Sequence, residues 1–247
     1  MKDSEVRSEM RRLTRRSLFT GAAAALLGTG AWEWLRTRRD DDEEPWPLRI
    51  GLRVDEQLSR DYFDDRRLAR TYGLRDVQPG RPNGTEGMEG PPPENWSLKV
   101  SGFLNSGDDL TVTMEQIRAL PKSEIITELK CIEGWRRIIR WGGVRFRDFV
   151  AKFGEGDFDD DAYIGMATAD EGYYVGLDMP SAMHPQTLLA YEMNGGPLTP
   201  EHGAPLRLAI SVKYGIKNIK RIGTIRYQTT RPRDFWAEEG YDWYAGF

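Results

Sequence analysis

EMNGGPLTPEHGAPLRLAISVKYGIKNIKRIGTI, residues 192–225, is the segment from which the architecture of this chain is most readily inferred. Apolar and β-branched residues at 204–211 and 219–229 predict two strands, with a glycine turn between them. Five basic residues surround this turn: Arg207, Lys213, Lys217, Lys220 and Arg221. Backbone amides at a glycine turn with lysines alongside form a natural anion site. A solvated basic turn between two strands has the same composition, so the pattern leaves both interpretations open.

The segment ELKCIEGWRR, residues 128–137, contains the only cysteine of the chain, Cys131. A free cysteine is commonly a small buried apolar residue. Three neighbours in sequence, Lys130, Arg136 and Arg137, would instead favour the reactive thiolate. One cysteine and two histidines are too few for a Cys/His zinc site. A single thiolate can still supply one ligand to a metal that is held mainly by an organic cofactor.

The remaining patterns predict more strands than helices. Strands are expected at 96–104, 123–130, 161–169 and 172–179, and either a short helix or a strand at 185–193. Helices are expected at 55–72, from a Thr113 cap to Pro121, and within 142–154, which ends at Gly154. The Gly- and Pro-rich residues 77–95 predict a loop. Because strands and helices do not alternate regularly, the expected class is α+β, with mixed sheets and short helices.

Residues 1–45 are expected to be an export segment. TRRSLF at 14–19 contains a twin arginine, and a run of small residues and leucines follows to residue 31. This segment is either cleaved or kept as a membrane anchor; the alternative is a basic amphipathic helix lying on a membrane or a partner. Charged residues 36–45 predict a disordered spacer, so the folded domain is expected at 46–247. The net charge of -4 gives no reason to expect a nucleic-acid partner.

Three motifs together resemble a known family. CIEGW at 131–135 resembles the Cys-x-Glu-small-Trp motif of the sulfite oxidase-type molybdopterin-binding domain, in its periplasmic protein-methionine-sulfoxide reductase branch. AMHPQTLLAYEMNGGPLTPEHGAPLRLAI at 182–210 and KYGIKNIKRIGTI at 213–225 are similar to the family's second block in order and spacing. The resemblance covers residues 96–230 and implies the sulfite oxidase-type molybdopterin-binding fold with a molybdenum-molybdopterin cofactor.

The resemblance also implies roles for individual residues. Cys131 is implied as the protein's thiolate ligand to molybdenum, with the pterin's dithiolene supplying further sulfurs. Contacts to the cofactor are implied for seven more residues: Asn83, Thr168, His202 and Arg207 along the pterin, and Gly215, Ile216 and Lys217 at its terminal phosphate. His202 stands where related sequences carry Asn, which also donates a hydrogen bond. His184 is expected to orient a loop rather than to act in catalysis.

The implied activity is oxygen-atom transfer that reduces an S-oxide such as methionine sulfoxide. Sulfite oxidases carry an Asn- and Arg-rich run after the cysteine, whereas here Glu133 would repel sulfite and Trp135 suits a neutral substrate. Two alternatives stay open: oxidation of sulfite or another small molecule, and a non-catalytic molybdopterin-fold binding protein. The twin-arginine machinery carries folded cofactor proteins, so the expected location is the periplasm or the envelope side of the membrane. A separate electron donor, such as a membrane haem protein, is then required.

Overall fold

The computed structural model describes residues 3–36, 40–41, 44–92 and 94–246. It divides into two compact units, Met1–Arg53 and Val54–Phe247. The first unit begins with helix α1, Asp3–Arg36, followed by the paired strands β1, Asp40–Asp41, and β2, Glu44–Pro45. The predicted spacer therefore contains a short β pair, and its residues 37–39 and 42–43 lie outside the described residues. No described helix combines the length and the apolar character needed to cross a lipid bilayer.

Helix α2 spans Trp46–Tyr62, so the helix predicted at 55–72 is right only in its first part. Beyond Tyr62 the chain is held in an extended form by pairing with the rest of its unit. The side-chain amide of Gln186 donates to the Ala69 carbonyl and accepts from the Ala69 N–H, and the Tyr72 N–H donates to the Ile126 carbonyl. These tertiary hydrogen bonds override the weak helical periodicity of this segment.

The first large sheet consists of antiparallel strands around the cysteine segment. Its strands are β5, Lys122–Lys130; β6, Arg136–Arg145; β9, Thr187–Met193; β10, Gly196–Pro197; and β11, Arg207–Ile210. The spatial order is β10-β9-β6-β5, and β11 also pairs with β9. The segment 185–193, predicted as either helix or strand, is thus a strand. We did not predict β6, because its four arginines obscure the apolar alternation of an otherwise half-buried strand.

The second large sheet is mixed. Its strands are β3, Leu98–Ser101; β4, Leu110–Val112; β7, Tyr163–Thr168; β8, Tyr174–Asp178; and β12, Ile222–Gln228. They lie in the order β4-β3-β12-β7-β8, and only the β3 and β12 pair is parallel among them. Four of these strands, β3, β7, β8 and β12, coincide with predicted ones, and the predicted mixture of sheets is present.

Three short helices connect the two large sheets, and a fourth follows the last strand. They are α3, Met114–Arg118; α4, Phe146–Phe153; α5, Met179–Ala182; and α6, Phe235–Glu238. The predicted cap of α3 is confirmed, since Thr113 Oγ1 accepts the Gln116 N–H and the Gln116 side chain accepts the Thr113 N–H. Helix α4 ends at Gly154 as predicted, but it begins only at Phe146 because the preceding residues belong to β6.

The main core lies between the two sheets and under α4. Phe103, Phe146 and Phe149 are fully buried there, and edge-to-face and stacked ring contacts join them. A smaller apolar cluster, which includes Ile139, Trp141 and Leu188, belongs to the first sheet. This second cluster supports the strands from which the cysteine turn and the second block emerge.

A glycine in β6 permits the close approach of β9. A Cβ at Gly143 would lie 2.1 Å from the Leu189 carbonyl oxygen and 2.7 Å from Ala190 Cα. Because both are backbone atoms, we expect Gly143→Ala to lower the free energy of unfolding by about 1–3 kcal/mol. Gly196→Ala in the same sheet meets open space and should change it by less than about 0.5 kcal/mol. Urea unfolding of both variants tests this; equal effects would contradict it.

Candidate functional site

Cys131 is the first residue of the turn between β5 and β6. Register pairs Lys130 with Arg136, so the turn comprises residues 131–135. The Cys131 N–H donates to the Trp135 carbonyl (2.9 Å), and the Gly134 N–H donates to the Cys131 carbonyl (3.1 Å). Gly134 has φ of +85°, a conformation that favours glycine. The cysteine therefore sits at the end of a sheet in a backbone-fixed turn, as the sequence predicted.

The turn borders a cavity of about 170 Å³. Its walls combine the thiol with cationic ends, aromatic rings and glycine backbone. The lining residues used below are Arg81, Asn83, Cys131, Glu133, Trp135, Tyr173, Arg207, Gly215, Ile216, Lys220, Trp236 and Tyr241. Five of the eight site residues implied by the resemblance line it, which are Asn83, Cys131, Arg207, Gly215 and Ile216.

The thiol of Cys131 is buried, and burial raises its pKa above the ordinary value. The Glu133 backbone N–H lowers this pKa, the Glu133 carboxylate raises it, and the nearby Arg81 lowers it. The expectation that Arg136 and Arg137 favour the thiolate is wrong for a structural reason. Arg136 pairs with Glu128 at 3.4 Å, and the Arg137 guanidinium donates to the Arg136 carbonyl. The cation that acts on the sulfur comes from a distant part of the sequence.

The glycine turn of the second block rests on the cysteine turn. A Cβ at Gly215 would lie 3.3 Å from the Lys130 carbonyl oxygen and 3.6 Å from Cys131 Cα. Residues Gly215–Lys217 form one turn of 3-10 helix, and the Tyr173 hydroxyl donates to the Ile216 carbonyl (2.5 Å). Burial raises the pKa of Tyr173, so this phenol stays protonated and keeps its donor role. The two motifs thus share one cavity wall.

Two of the five basic residues point into the interior rather than toward the turn. Lys217 Nζ donates to the Gly176 carbonyl (2.9 Å) and to Asp234, and it lies 4.7 Å from the centre of the Trp243 ring. Lys213 Nζ lies 3.3 Å from Asp178 Oδ1 and 2.8 Å from the centre of the Tyr244 ring. Both side chains are buried, so a solvated basic turn is excluded. The Lys217 ammonium is committed to Asp234, and a phosphate contact by this residue stays a prediction.

Arg207 is a buried cation whose described hydrogen bonds all go to carbonyl oxygens. Its guanidinium donates to the carbonyls of His202 (3.0 Å) and Asn218 (3.1 Å), and it lies 4.6 Å from the centre of the Trp141 ring. Burial lowers its pKa to about 10, so it remains charged at neutral pH. The same guanidinium and Lys220 contribute to lowering the pKa of His202, after burial itself. His202 is therefore neutral at neutral pH and lies beside Gly80, not on the cavity wall.

Asn83 lies in the loop that approaches Cys131, and Thr168 is the last residue of β7. Asn83 Nδ2 lies 3.9 Å from Cys131 Sγ, which brings the implied N-terminal contact to the cysteine. Thr168 is fully buried; its Oγ1 donates to Asp170 Oδ1 and accepts the Tyr173 N–H. It supports the cavity wall through Tyr173 and does not line the cavity. His184 accepts the Gln186 N–H on Nδ1, which is the loop-orienting position expected for it.

Sequence reasoning missed four residues of the cavity. Arg81 stands two residues before the predicted Asn83, and its guanidinium lies 4.9 Å from the centre of the Trp135 ring. Tyr173 lies in a predicted strand with no sign of a site role. Trp236 and Tyr241 follow the second block and pack edge to face, with ring centres 5.3 Å apart. Proximity to the implied Asn83 could have signalled Arg81; the other three depend on tertiary structure.

The family model described as the oxidoreductase molybdopterin binding domain matches residues 87–236. The chain belongs to this family. Its cofactor is accordingly molybdenum-molybdopterin, and its fold is the predicted sulfite oxidase-type molybdopterin-binding fold. The match covers every strand of the two large sheets. It also includes the cysteine turn and the second block.

Several proteins are similar to this chain. The protein-methionine-sulfoxide reductase catalytic subunit MsrP of Campylobacter jejuni is 35% identical, over 62% of this chain and 56% of its own length. MsrP of Xanthomonas campestris is 34% identical, over 58% of this chain and 48% of its own length. The chain thus spans about half the length of these curated relatives. The sulfane dehydrogenase SoxCD of Paracoccus pantotrophus superposes with a TM-score of 0.49 at 19% identity, covering 55% of this chain and 39% of that one.

The residues of the cavity fit the family's cofactor. A buried guanidinium without a carboxylate among its described partners calls for an anionic ligand, and Arg207 and Lys220 face the same cavity. A soft sulfur donor is available from Cys131 at the cavity wall. Gly215 and Ile216 of the glycine turn also line the cavity. Cys131, Arg207, Lys220 and this turn are therefore the residues that would hold the cofactor.

Burial of Lys213 beside the glycine turn should make stability depend on pH. Burial lowers its pKa from 10.5 to about 7 in the folded chain. Between these values the unfolded chain binds more protons, so the contribution of Lys213 to folding improves as pH rises from 7 to 10. We expect the unfolding free energy of the wild type to increase over this range relative to Lys213→Met.

Urea unfolding of the wild type and of Lys213→Met at pH 7 and pH 10 measures the difference between their unfolding free energies. The contributions of the other titrating groups cancel in this difference. Lys99→Met provides the control, because Lys99 is exposed on β3. A difference in unfolding free energy between the wild type and Lys213→Met that stays constant with pH would contradict the lowered pKa of Lys213. An equal pH trend in the difference between the wild type and Lys99→Met would contradict it as well.

Proposed function

We propose that this chain is an exported molybdenum-dependent oxidoreductase that uses Cys131 as a metal ligand and reduces an S-oxide such as methionine sulfoxide. One observation carries the proposal: the thiol, the buried Arg207 and the glycine turn at Gly215 border a single cavity. A binding protein without chemistry would need the anion-binding part of this set, but it would have no use for a thiol at the same wall.

When bound, molybdenum-molybdopterin supplies two-electron oxygen-atom chemistry. The residues of the chain then bind and orient. Arg207 and Lys220 compensate negative charge, and the backbone at Gly215 and Ile216 offers a close approach to an anionic group. Asn83 donates its side-chain amide toward Cys131 Sγ, which disperses negative charge on the sulfur. The aromatic rings of Trp135 and Trp236 exclude water from the cavity.

The cavity entrance favours a neutral substrate. Glu133 accepts the Trp135 indole N–H (2.9 Å), so the carboxylate is fixed at the cavity wall next to the cysteine. A carboxylate in this position repels an anion, whereas aromatic rings make favourable contacts with the sulfur of a thioether or sulfoxide. Two of the similar proteins are named protein-methionine-sulfoxide reductase catalytic subunits, which agrees with this substrate class.

Sulfite oxidation is the second candidate, and Arg81 is the observation that favours it. Its guanidinium lies over Trp135 at the same entrance and could attract an anion. Glu133 opposes it from the same wall. The balance between these two charges decides between sulfite and a sulfoxide, and we propose that Glu133 dominates because the Arg81 guanidinium is engaged by the indole ring.

Export and an external electron donor complete the proposal. The twin arginine at residues 15–16 supports recognition by the twin-arginine machinery and a location in the periplasm or on the envelope side of the membrane. The name catalytic subunit, borne by the similar MsrP proteins, supports a separate partner that delivers electrons. We propose a membrane haem protein for this role, and a small-molecule or protein-bound sulfoxide as the substrate.

Cys131→Ser tests the metal ligand. We expect the variant to fold as the wild type does, and its sulfoxide reduction to fall by more than about 100-fold, since even changes around a metal ligand cost 10–100-fold. Molybdenum content by elemental mass spectrometry should be about one atom per wild-type chain purified from a cofactor-competent host. Wild-type turnover in the serine variant would refute the role of the thiolate, and a folded wild type without molybdenum would support the non-catalytic alternative.

Glu133→Gln tests the choice of substrate. The glutamine keeps an oxygen that accepts the Trp135 indole N–H but removes the negative charge. We expect kcat/KM for sulfite oxidation to rise about tenfold, with sulfoxide reduction nearly unchanged. Dye-coupled assays measure both reactions. Glu128→Gln, whose carboxylate pairs with Arg136, is the matched control. If wild-type sulfite oxidation exceeds sulfoxide reduction, the second candidate replaces the first.

A further inference from the structure

Residues 81–90, RPNGTEGMEG, form a loop whose first half lines the Cys131 cavity, and we refer to them as the cover loop. The loop brings two side chains to the cavity. Asn83 Nδ2 lies 3.9 Å from Cys131 Sγ, and the Arg81 guanidinium lies 4.9 Å from the centre of the Trp135 ring. The position of this loop therefore decides which groups face the sulfur and the cavity entrance.

The cover loop cannot fix its own shape. It contains no helix or strand, and its one internal backbone hydrogen bond in the described structure runs from the Met88 N–H to the Thr85 carbonyl. Gly84, Gly87 and Gly90 all have φ between +65° and +74°. Glycine in such conformations loses more conformational freedom on ordering than other residues do. External contacts must therefore hold the loop in place.

Two adjacent basic residues provide those contacts. Lys220 Nζ donates to the carbonyls of Asn83 (2.5 Å) and Gly84 (3.0 Å) at the beginning of the loop. Arg221 Nη1 donates to the carbonyls of Glu89 (3.3 Å) and Gly90 (2.9 Å) at its end. Hydrogen bonds from charged donors are stronger than those between neutral groups. The two cations thus hold both ends of the cover loop by its backbone.

The backbone at these two residues is arranged for this task. Arg221 has φ of +48°, which is uncommon and costly for a residue other than glycine. Its N–H donates to the Gly203 carbonyl (3.2 Å), and a Cβ at Gly203 would lie 2.7 Å from Lys220 Cβ. This close packing of backbone and side chain fixes the unusual conformation. The consecutive side chains can then reach opposite ends of the loop.

The middle of the loop has a separate support. A Cβ at Gly87 would lie 2.4 Å from Thr168 Oγ1, so the loop backbone packs directly on that buried side chain. Thr168 also bonds the Tyr173 backbone, which belongs to the cavity wall. The cover loop is consequently seated on the wall at its centre and held by cations at both ends.

We propose that Lys220 and Arg221 are positioning residues that hold the cover loop closed over Cys131, so that Asn83 meets the sulfur and Arg81 meets Trp135. These hydrogen bonds join residues of the chain alone. The two cations therefore fix the shape of the cavity before a ligand binds. The proposal does not depend on which reaction the enzyme catalyses. It predicts that loss of either cation exposes the thiol without unfolding the domain.

The single cysteine makes this exposure directly measurable. In full-length protein produced in a host without molybdopterin synthesis, iodoacetamide can alkylate only Cys131. We expect Lys220→Met and Arg221→Met each to accelerate alkylation by about tenfold or more, as loss of charged hydrogen bonds permits local opening. Cleavage after Glu86 by a glutamate-specific protease should accelerate in parallel, while urea unfolding stays cooperative.

Two controls separate loop positioning from simpler effects. Arg136→Met removes a cation close to Cys131 in sequence that pairs with Glu128 outside the loop, and it should leave both rates unchanged. Lys220→Arg keeps the charge and the donors and should retain most of the protection. Asn83→Ala should speed alkylation without speeding cleavage after Glu86, because it leaves the carbonyl bonds intact.

Alkylation and cleavage rates within about twofold of the wild type in both methionine variants would overturn the proposal. Equal acceleration in Arg136→Met would overturn it as well, since loss of any nearby positive charge would then be enough to raise both rates. If neither methionine variant folds, protease cleavage of the wild type tests the proposal instead. Cleavage after Glu86 as fast in the native chain as in the urea-unfolded chain would show that the loop is not held.

Discussion

The site depends on the contact between the glycine turn at Gly215 and the backbone of the cysteine turn. The absent side chain at this position lets the two turns approach until a Cβ would stand 3.3 Å from the Lys130 carbonyl oxygen. One turn ends a strand of the antiparallel sheet, and the other leads into the strand that is central in the mixed sheet. The thiol and the anion-binding backbone share a cavity because the two sheets meet here. A larger residue at Gly215 would require one of the two turns to shift by a few tenths of an ångström.

The buried lysines beside the glycine turn determine its position rather than stabilise the fold. Removing a lysine ammonium from water is unfavourable, and a carboxylate partner returns only part of that loss. Lys213 and Lys217 nevertheless lie in the interior, each with a carboxylate and with the ring of Tyr244 or Trp243. Both flank the glycine turn, so their ion pairs fix where that turn stands. An ion pair has a preferred geometry, whereas an apolar contact does not. The two pairs can therefore hold the turn in the one orientation that faces a ligand.

The sequence allowed much of the fold to be inferred, but less of the site. Strands with clear alternation, such as the segments around Val100 and Ile164, and the capping box at Thr113 depend on local patterns and were predicted correctly. Strand β6 was missed because its four arginines hide the buried face, and the end of α2 was misplaced because the Gln186 side chain binds a segment 117 residues away. The cysteine and the glycine turn were recognisable from their motifs. The directions of Lys213 and Lys217 were not, since their partners Asp178 and Asp234 are set by tertiary structure.

Charge balance around the cavity explains why one cysteine is enough. In the chain alone burial keeps the pKa of the thiol high, and no carboxylate compensates Arg207 among its described hydrogen bonds. An anionic ligand with a metal reverses both conditions, because a metal favours the thiolate and the ligand's negative charge satisfies the guanidinium. The cavity is thus electrostatically incomplete in a way that the family's cofactor completes. In the proposed function, Cys131 would supply one bond to the metal, and Arg207, Lys220 and the glycine turn would hold the rest of the cofactor.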